Sequence, residues 1–124
     1  MSFDTEWARC APWIGAALEH AGRTHSLADV KAMVEARECR FWAGREAAMV
    51  TEIIEHPQST DLMLWLAGGD LDELKNELRP MAEAWGREHD CKRSLIVGRD
   101  GWVRALRDEG YSPLARLVMK ELNG

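Results

Sequence analysis

Apolar positions recur at three- and four-residue steps through residues 5–22, where Trp7, Cys10, Trp13 or Ile14, Ala17 and Leu18 share one helical face. Gly22 is a natural stop for this first helix, and Pro12 marks a bend or a late start. Ser26 followed three residues later by Asp29 is a capping pair opening a second helix. Its stripe is Leu27, Val30, Met33 and Val34, and it ends near Arg37. The period then shortens to two. CRFWAG (39–44), AAMVTEIIEH (47–56) and DLMLWLA (61–67) read as strands, and Pro57-Gln58-Ser59 turns the last two into an antiparallel hairpin. Leu71, Leu74, Leu78, Met81 and Trp85 restore the helical step to about Glu88, with Pro80 expected to remove one backbone bond and bend the helix. RSLIVG (93–98) reads as a strand and GWVRALRDEG (101–110) as a short helix stopped at Gly110. The final expected strand runs from Leu114 to Leu122.

This order of elements predicts one α+β domain over residues 1–124, with a helical part (1–38) ahead of a sheet-containing part (39–124) of about five strands. The strands on either side of the long helix need a crossover, so they should be parallel neighbours. A ligand crevice in such a sheet lies beyond the strand C-ends, here where Gly68-Gly69 would meet Gly98-Arg99.

Composition narrows the function classes. The chain is 46% apolar and 30% charged with a net charge of −5. Residues 1–85 carry 8 basic and 15 acidic side chains, and residues 86–124 carry 8 and 6. An acidic chain does not suit the counterion release that drives nucleic-acid binding. No run approaches the roughly 18–20 apolar residues of a membrane helix, and MSFDTEWARC lacks the layout of a signal peptide. A cytoplasmic protein with no membrane or nucleic-acid partner is expected. Cys10, Cys39 and Cys91 are odd in number and unpaired by spacing, and the four histidines are scattered, so neither a disulfide framework nor a metal site is expected.

Three stretches, LMLWLAGGDLDEL, MAEAWGREHDCKRSLIVG and GWVRALRDEGYSPLARLVMKEL, resemble the GNAT N-acyltransferase superfamily. The middle one is similar to its E-x-W-A-R-x-x-G-C helix end, and the last to its Y-E-K-L-G-F … K-x-L ending. The resemblance covers about two-thirds of the chain, from Cys39 onward. Gly98-Arg99-Asp100-Gly101-Trp102 also resembles the G-R-x-G-W motif of short phage-encoded proteins of unassigned role. The superfamily implies acetyl-CoA as cofactor, its pyrophosphate held by an R/Q-x-x-G-x-G/A loop, and a tyrosine that protonates the leaving thiolate.

Both working parts depart from that pattern. The loop position holds Leu66-Ala67-Gly68-Gly69-Asp70-Leu71, and Asp70 with Glu73 forms a capping box whose carboxylates, with Asp72 between them, take the N–H groups an anion needs. Counting back from Tyr111, the only tyrosine, places Leu106 where the acid belongs and Tyr111 at a packing position. Other candidates are weaker. Arg99 is a clamp for a carboxylate or phosphate, or a partner for Asp70 or Asp72; Glu52, Glu55 and His56 are candidate bases on a partly exposed strand; Cys91 sits beside Lys92-Arg93; and Arg104 and Arg107 share a solvated face. Tryptophan is enriched at interfaces, which makes Trp7 and Trp13 the candidate interaction residues. The expectation is a module that has lost catalysis and needs no cofactor. It binds a protein partner or itself, or serves as a structural component such as a phage virion or assembly part. The alternative is a small acetyl-CoA-dependent N-acyltransferase using Gly68, Gly69, Gly98 and Arg99.

Overall fold

In the computed structural model, which describes residues 2–98 and 100–123, a four-stranded sheet is covered by helices on both faces. Helix α1 (Phe3–His20) starts two residues earlier than expected because the Ser2 hydroxyl accepts from the Thr5 N–H, and it runs on through Pro12. Helix α2 (Leu27–Glu35) opens on the complete Ser26–Asp29 capping box. Strands β1 (Arg40–Ala43), β2 (Ala47–Glu55) and β3 (Thr60–Gly69) form an antiparallel meander. A continuous helical stretch follows as α3 (Leu71–Glu73), a π-helical segment (Leu74–Leu78) and α4 (Arg79–Glu88). It leads into β4 (Arg93–Ile96), then α5 (Asp100–Leu106) and a 3₁₀ turn (Arg107–Glu109) closed by Gly110 in the left-handed region. None of these helices is long and apolar enough to cross a membrane.

The strand order is β1-β2-β3-β4, with β4 parallel to β3 as the crossover requires. Pro80 is absorbed by the π segment: the Arg79 N–H reaches back five residues to the Leu74 carbonyl, widening the turn into which the proline ring fits.

Two differences from the sequence reading bear on function. The third strand does not stop at Ala67 as expected but continues through Gly68 and Gly69 before α3 begins. The expected strand from Leu114 to Leu122 is absent: residues 112–123 are exposed and carry no regular structure, so among the described residues the sheet has four strands rather than five.

A β-bulge divides the core. Val50 pairs with Leu66 and Thr51 with Leu64, which leaves Trp65 as an extra residue on β3. The bulge turns the side chains over. Leu66 joins Trp7, Cys10, Ile14, Val30 and Val50 under α1 and α2, whereas Leu62 and Leu64 pack with Met49, Leu74, Leu78 and Ala82 under α4. Each face of the sheet therefore packs against its own hydrophobic cluster.

Candidate functional site

The junction of β3 and α3 is where the sequence predicts an Asp70–Glu73 capped turn, and a coenzyme cradle only under the alternative reading. The Asp70 side chain accepts from the Glu73 N–H at 2.9 Å, the forward half of the capping box. The backward half is replaced. The Asp70 N–H donates to the Glu46 carbonyl at 2.8 Å, while the Glu73 carboxylate, almost fully buried, accepts from the Glu46 N–H at 2.9 Å. Arg45 lies against the same carboxylate at 3.5 Å and against Glu77 at 3.2 Å. From the other side, Arg9 of α1 donates to the Gly44 and Arg45 carbonyls at 2.6 and 3.0 Å and pairs with Glu6. The β1–β2 turn thus fastens both helical layers to the sheet. At the start of α3 the Asp70 and Glu73 N–H groups are thus taken by the Glu46 carbonyl and the Asp70 carboxylate.

The predicted glycines have packing reasons. A Cβ on Gly68 would stand 2.3 Å from the Trp13 carbonyl, so its absence lets α1 lie directly on β3. Gly69 has φ +101° and faces the Glu46 carbonyl and Ala47 at distances that exclude a side chain. Gly98 is pressed against the Trp102 ring, and Arg99 lies outside the described residues.

The β3–β4 ladder covers only Asp61–Leu64 against Arg93–Ile96, although β3 runs on to Gly69. Beyond the Trp65 bulge the two strands are no longer paired.

Trp7 is 6% exposed and stacks edge-on against Phe41 with ring centroids 5.2 Å apart; Trp13 is half-buried beneath the Arg9 guanidinium. Trp7 therefore belongs to the core of the single chain. Glu52 is half-buried, and burial raises its carboxyl pKa against the opposing pull of His25. Glu55 and His56 are exposed, so the three candidate bases are not assembled. Cys91 is half-buried and its thiol is pushed up, first by burial and then by Asp61 and Asp90. Among the described residues, no three metal-ligating side chains converge.

Two clusters were not read from the sequence. Asp61, fully buried, takes a bidentate pair from Arg93 at 2.7 and 3.0 Å and a bond from Ser59 at 2.6 Å. These hold its carboxyl down to about 2. The acidic start of an otherwise apolar strand was the available signal. The second cluster lies along β4: Tyr111 donates to Glu83 at 2.7 Å and bonds Ser94, while Arg79 binds Glu83 at 2.8 Å and Glu109 at 3.0 Å. Its signal was the four-residue spacing of Arg79 and Glu83. Glu83, Ser94, Glu109 and Tyr111 border a cleft of about 340 Å³ that also takes in Arg93, Leu95 and Pro113. Burial raises the Tyr111 phenol first, with the Glu83 carboxylate adding to it.

No family model and no curated protein matches the sequence. Solved structures do match in shape. Wild-type TTHA1254 from Thermus thermophilus superposes with TM-score 0.65 at 14% identity, over 98% of this chain and 94% of that one. An acetyltransferase from Trypanosoma brucei superposes with TM-score 0.60 at 11% identity, over 88% of this chain and 92% of that one. At such identities the likeness is one of fold, and the chain has an α+β, GNAT-like fold shared with an acetyltransferase.

Proposed function

We propose that the chain is a protein-binding module on an acyltransferase-like scaffold, a binding or structural component in which acetyl-CoA catalysis has been lost. The observation that carries this reading is the Asp70–Glu73 arrangement. The helix start is capped by an aspartate: the Glu73 N–H donates to the Asp70 carboxylate and the Asp70 N–H to the Glu46 carbonyl, while the Glu73 carboxylate is itself taken by the Glu46 N–H. An incoming diphosphate would displace a satisfied carboxylate and sit among three acids. Two further facts support it. Leu106, at the position of the family's acid, is a buried apolar side chain, and the phenol of Tyr111 is already bonded to Glu83 and Ser94. The exposed apolar side chains of residues 114–122 supply contact surface for a partner.

The second reading is a small acetyl-CoA-dependent acyltransferase. What favours it is the open β3 edge beyond Trp65, where an extended ligand arm has unpaired strand to lie along. A thermal-shift titration separates the two. A ligand at 100 times its Kd adds about 2.7 kcal/mol of stability, a rise in Tm of roughly 10 °C for a chain of this size. No movement in millimolar acetyl-CoA is the expected result, and a rise of that size restores the enzyme reading.

A further inference from the structure

Arg40 opens β1, the outermost strand on its side of the sheet, and is exposed. Its guanidinium carbon lies 4.6 Å from the centre of the Trp42 ring and 5.5 Å from that of Trp85. The two rings meet edge to face with centres 5.9 Å apart, so the cation sits in the notch between them. Both rings are themselves held. Trp42 is 8% exposed and donates its indole N–H to the buried Thr51 hydroxyl at 2.9 Å. Trp85 is half-buried, and His89 packs on it with ring centres 4.9 Å apart and Nδ1 2.9 Å from the Trp85 carbonyl. Arg40 and Trp42 share one face of β1 because side chains alternate along a strand, and α4 brings Trp85 over that face.

What this arginine lacks is an anion. Arg9, Arg45, Arg79 and Arg93 each pair with a carboxylate. Among the described residues, Arg40 has only the two indoles. A chain with 21 acidic side chains against 16 basic ones has acids to spare, yet sets none beside it. Stacking occupies the face of a guanidinium and leaves its N–H edge open, and that planar fork matches a carboxylate with two parallel bonds. A loose surface arginine must also give up rotamer freedom when it binds. Here the rings restrict the side chain during folding, so less is lost on association.

The surroundings select among anions. Phosphate sites gather several arginines, whereas this cation is flanked by aromatic rings. Tryptophan beside arginine is the composition of interface hot spots, where an apolar rim shields one charged contact from water. A carboxylate carried on a protein surface fits that setting.

Resting on the protein-binding role set out above, we propose that Arg40, clamped by Trp42 and Trp85, is the contact point for an aspartate or glutamate carboxylate on an acidic segment of the partner.

NMR of the intact, nitrogen-labelled protein tests this through the Arg40 Nε–H and the Trp85 indole N–H. A capped penta-glutamate peptide, added to millimolar concentration, should shift both signals to saturation, and a penta-lysine peptide should leave them in place. Arg40→Lys, at an exposed position, keeps the charge but not the fork and should weaken the peptide about tenfold. Signals that stay still overturn the proposal, as does equal affinity in Arg40→Lys. Inorganic phosphate that binds more tightly than the peptide also overturns it. A still Arg40 in a chain that ignores acetyl-CoA defeats the carboxylate contact and leaves the broader binding role. A peptide response at Arg40 in a chain that acetyl-CoA stabilises through other signals defeats the loss of catalysis and leaves the contact standing.

Discussion

The Glu73 carboxylate stands 2.9 Å from the backbone nitrogen of Glu46, and that bond ties the first turn after β3 to the start of β2. Gly44 makes room for it: a Cβ there would come within 2.1 Å of the Glu73 Oε1. Glu73→Ala leaves the Glu46 N–H without its acceptor and should cost about 1–3 kcal/mol. Glu73→Gln keeps an acceptor oxygen and should recover most of the loss. Urea unfolding midpoints of the two variants check this, and equal midpoints would mean the bond contributes nothing.

Asp61 and Arg93 make the corresponding tie between β3 and β4. The Asp61 carboxyl is depressed to about 2, by the Arg93 bonds first and the Ser59 bond next. A group whose pKa is lower when folded stabilises the native state above its unfolded value of about 3.9 and loses that contribution as pH falls toward 2. Stability of the wild-type protein should therefore fall between pH 4 and pH 2. Asp61→Asn should be less stable at pH 7 and should show a flatter profile through that window. Denaturant titrations at stepped pH read both quantities, and parallel profiles would remove Asp61 as the titrating group.

Gly68 tests the contact between the layers. With the Trp13 carbonyl 2.3 Å from where a Cβ would sit, Gly68→Ala must push α1 off β3. Overpacking against backbone should cost about 1–3 kcal/mol. Ala16→Gly on the exposed side of α1 is the control, because it weakens the helix without touching this contact. A larger loss for the control than for Gly68→Ala would show that the close approach is not structural.

How much of this was legible depended on whether a feature is local. The capping box at Ser26 and Asp29, the hairpin over Pro57–Ser59 and the stripe of α1 were readable because each is decided within a few residues. The stripe expected for the long helix held at Leu74 and Leu78 but not at Leu71 and Met81, which are exposed, while Ala82 and Gly86 are buried after the π segment. Gly68 and Gly69 misled because glycine has two uses. They lie beyond the expected strand end, yet in the structure they belong to β3 and allow close approach to Trp13 and Glu46, partners far away in sequence. The segment from Leu114 to Leu122 is rich in apolar residues, but a strand exists only with a neighbouring edge, which sequence alone does not supply. For the candidate site, the Asp70 cap was legible, whereas the diversion of Glu73 to Glu46 was not, since it joins residues 27 apart. The Asp61–Arg93 pair was missed for the same reason.

Tyr111 offers a spectroscopic test because the chain has no other tyrosine. Its phenol is half-buried, donates to Glu83 at 2.7 Å, and is raised above the usual tyrosine range mainly by burial. A pKa raised in the folded state means stability that is complete below the unfolded value of about 10 and is lost as pH climbs past it. Phenolate absorbance should therefore not develop around pH 10 but should appear together with loss of the folded circular-dichroism signal at higher pH. Tyr111→Phe removes the bonds to Glu83 and Ser94, should cost about 1–2 kcal/mol at pH 7, and should flatten the alkaline decline in stability. An ordinary titration near pH 10 in the folded protein would show that the hydroxyl is open to water. The Glu83–Tyr111–Ser94 chain would then not be what holds the C-terminal turn against β4.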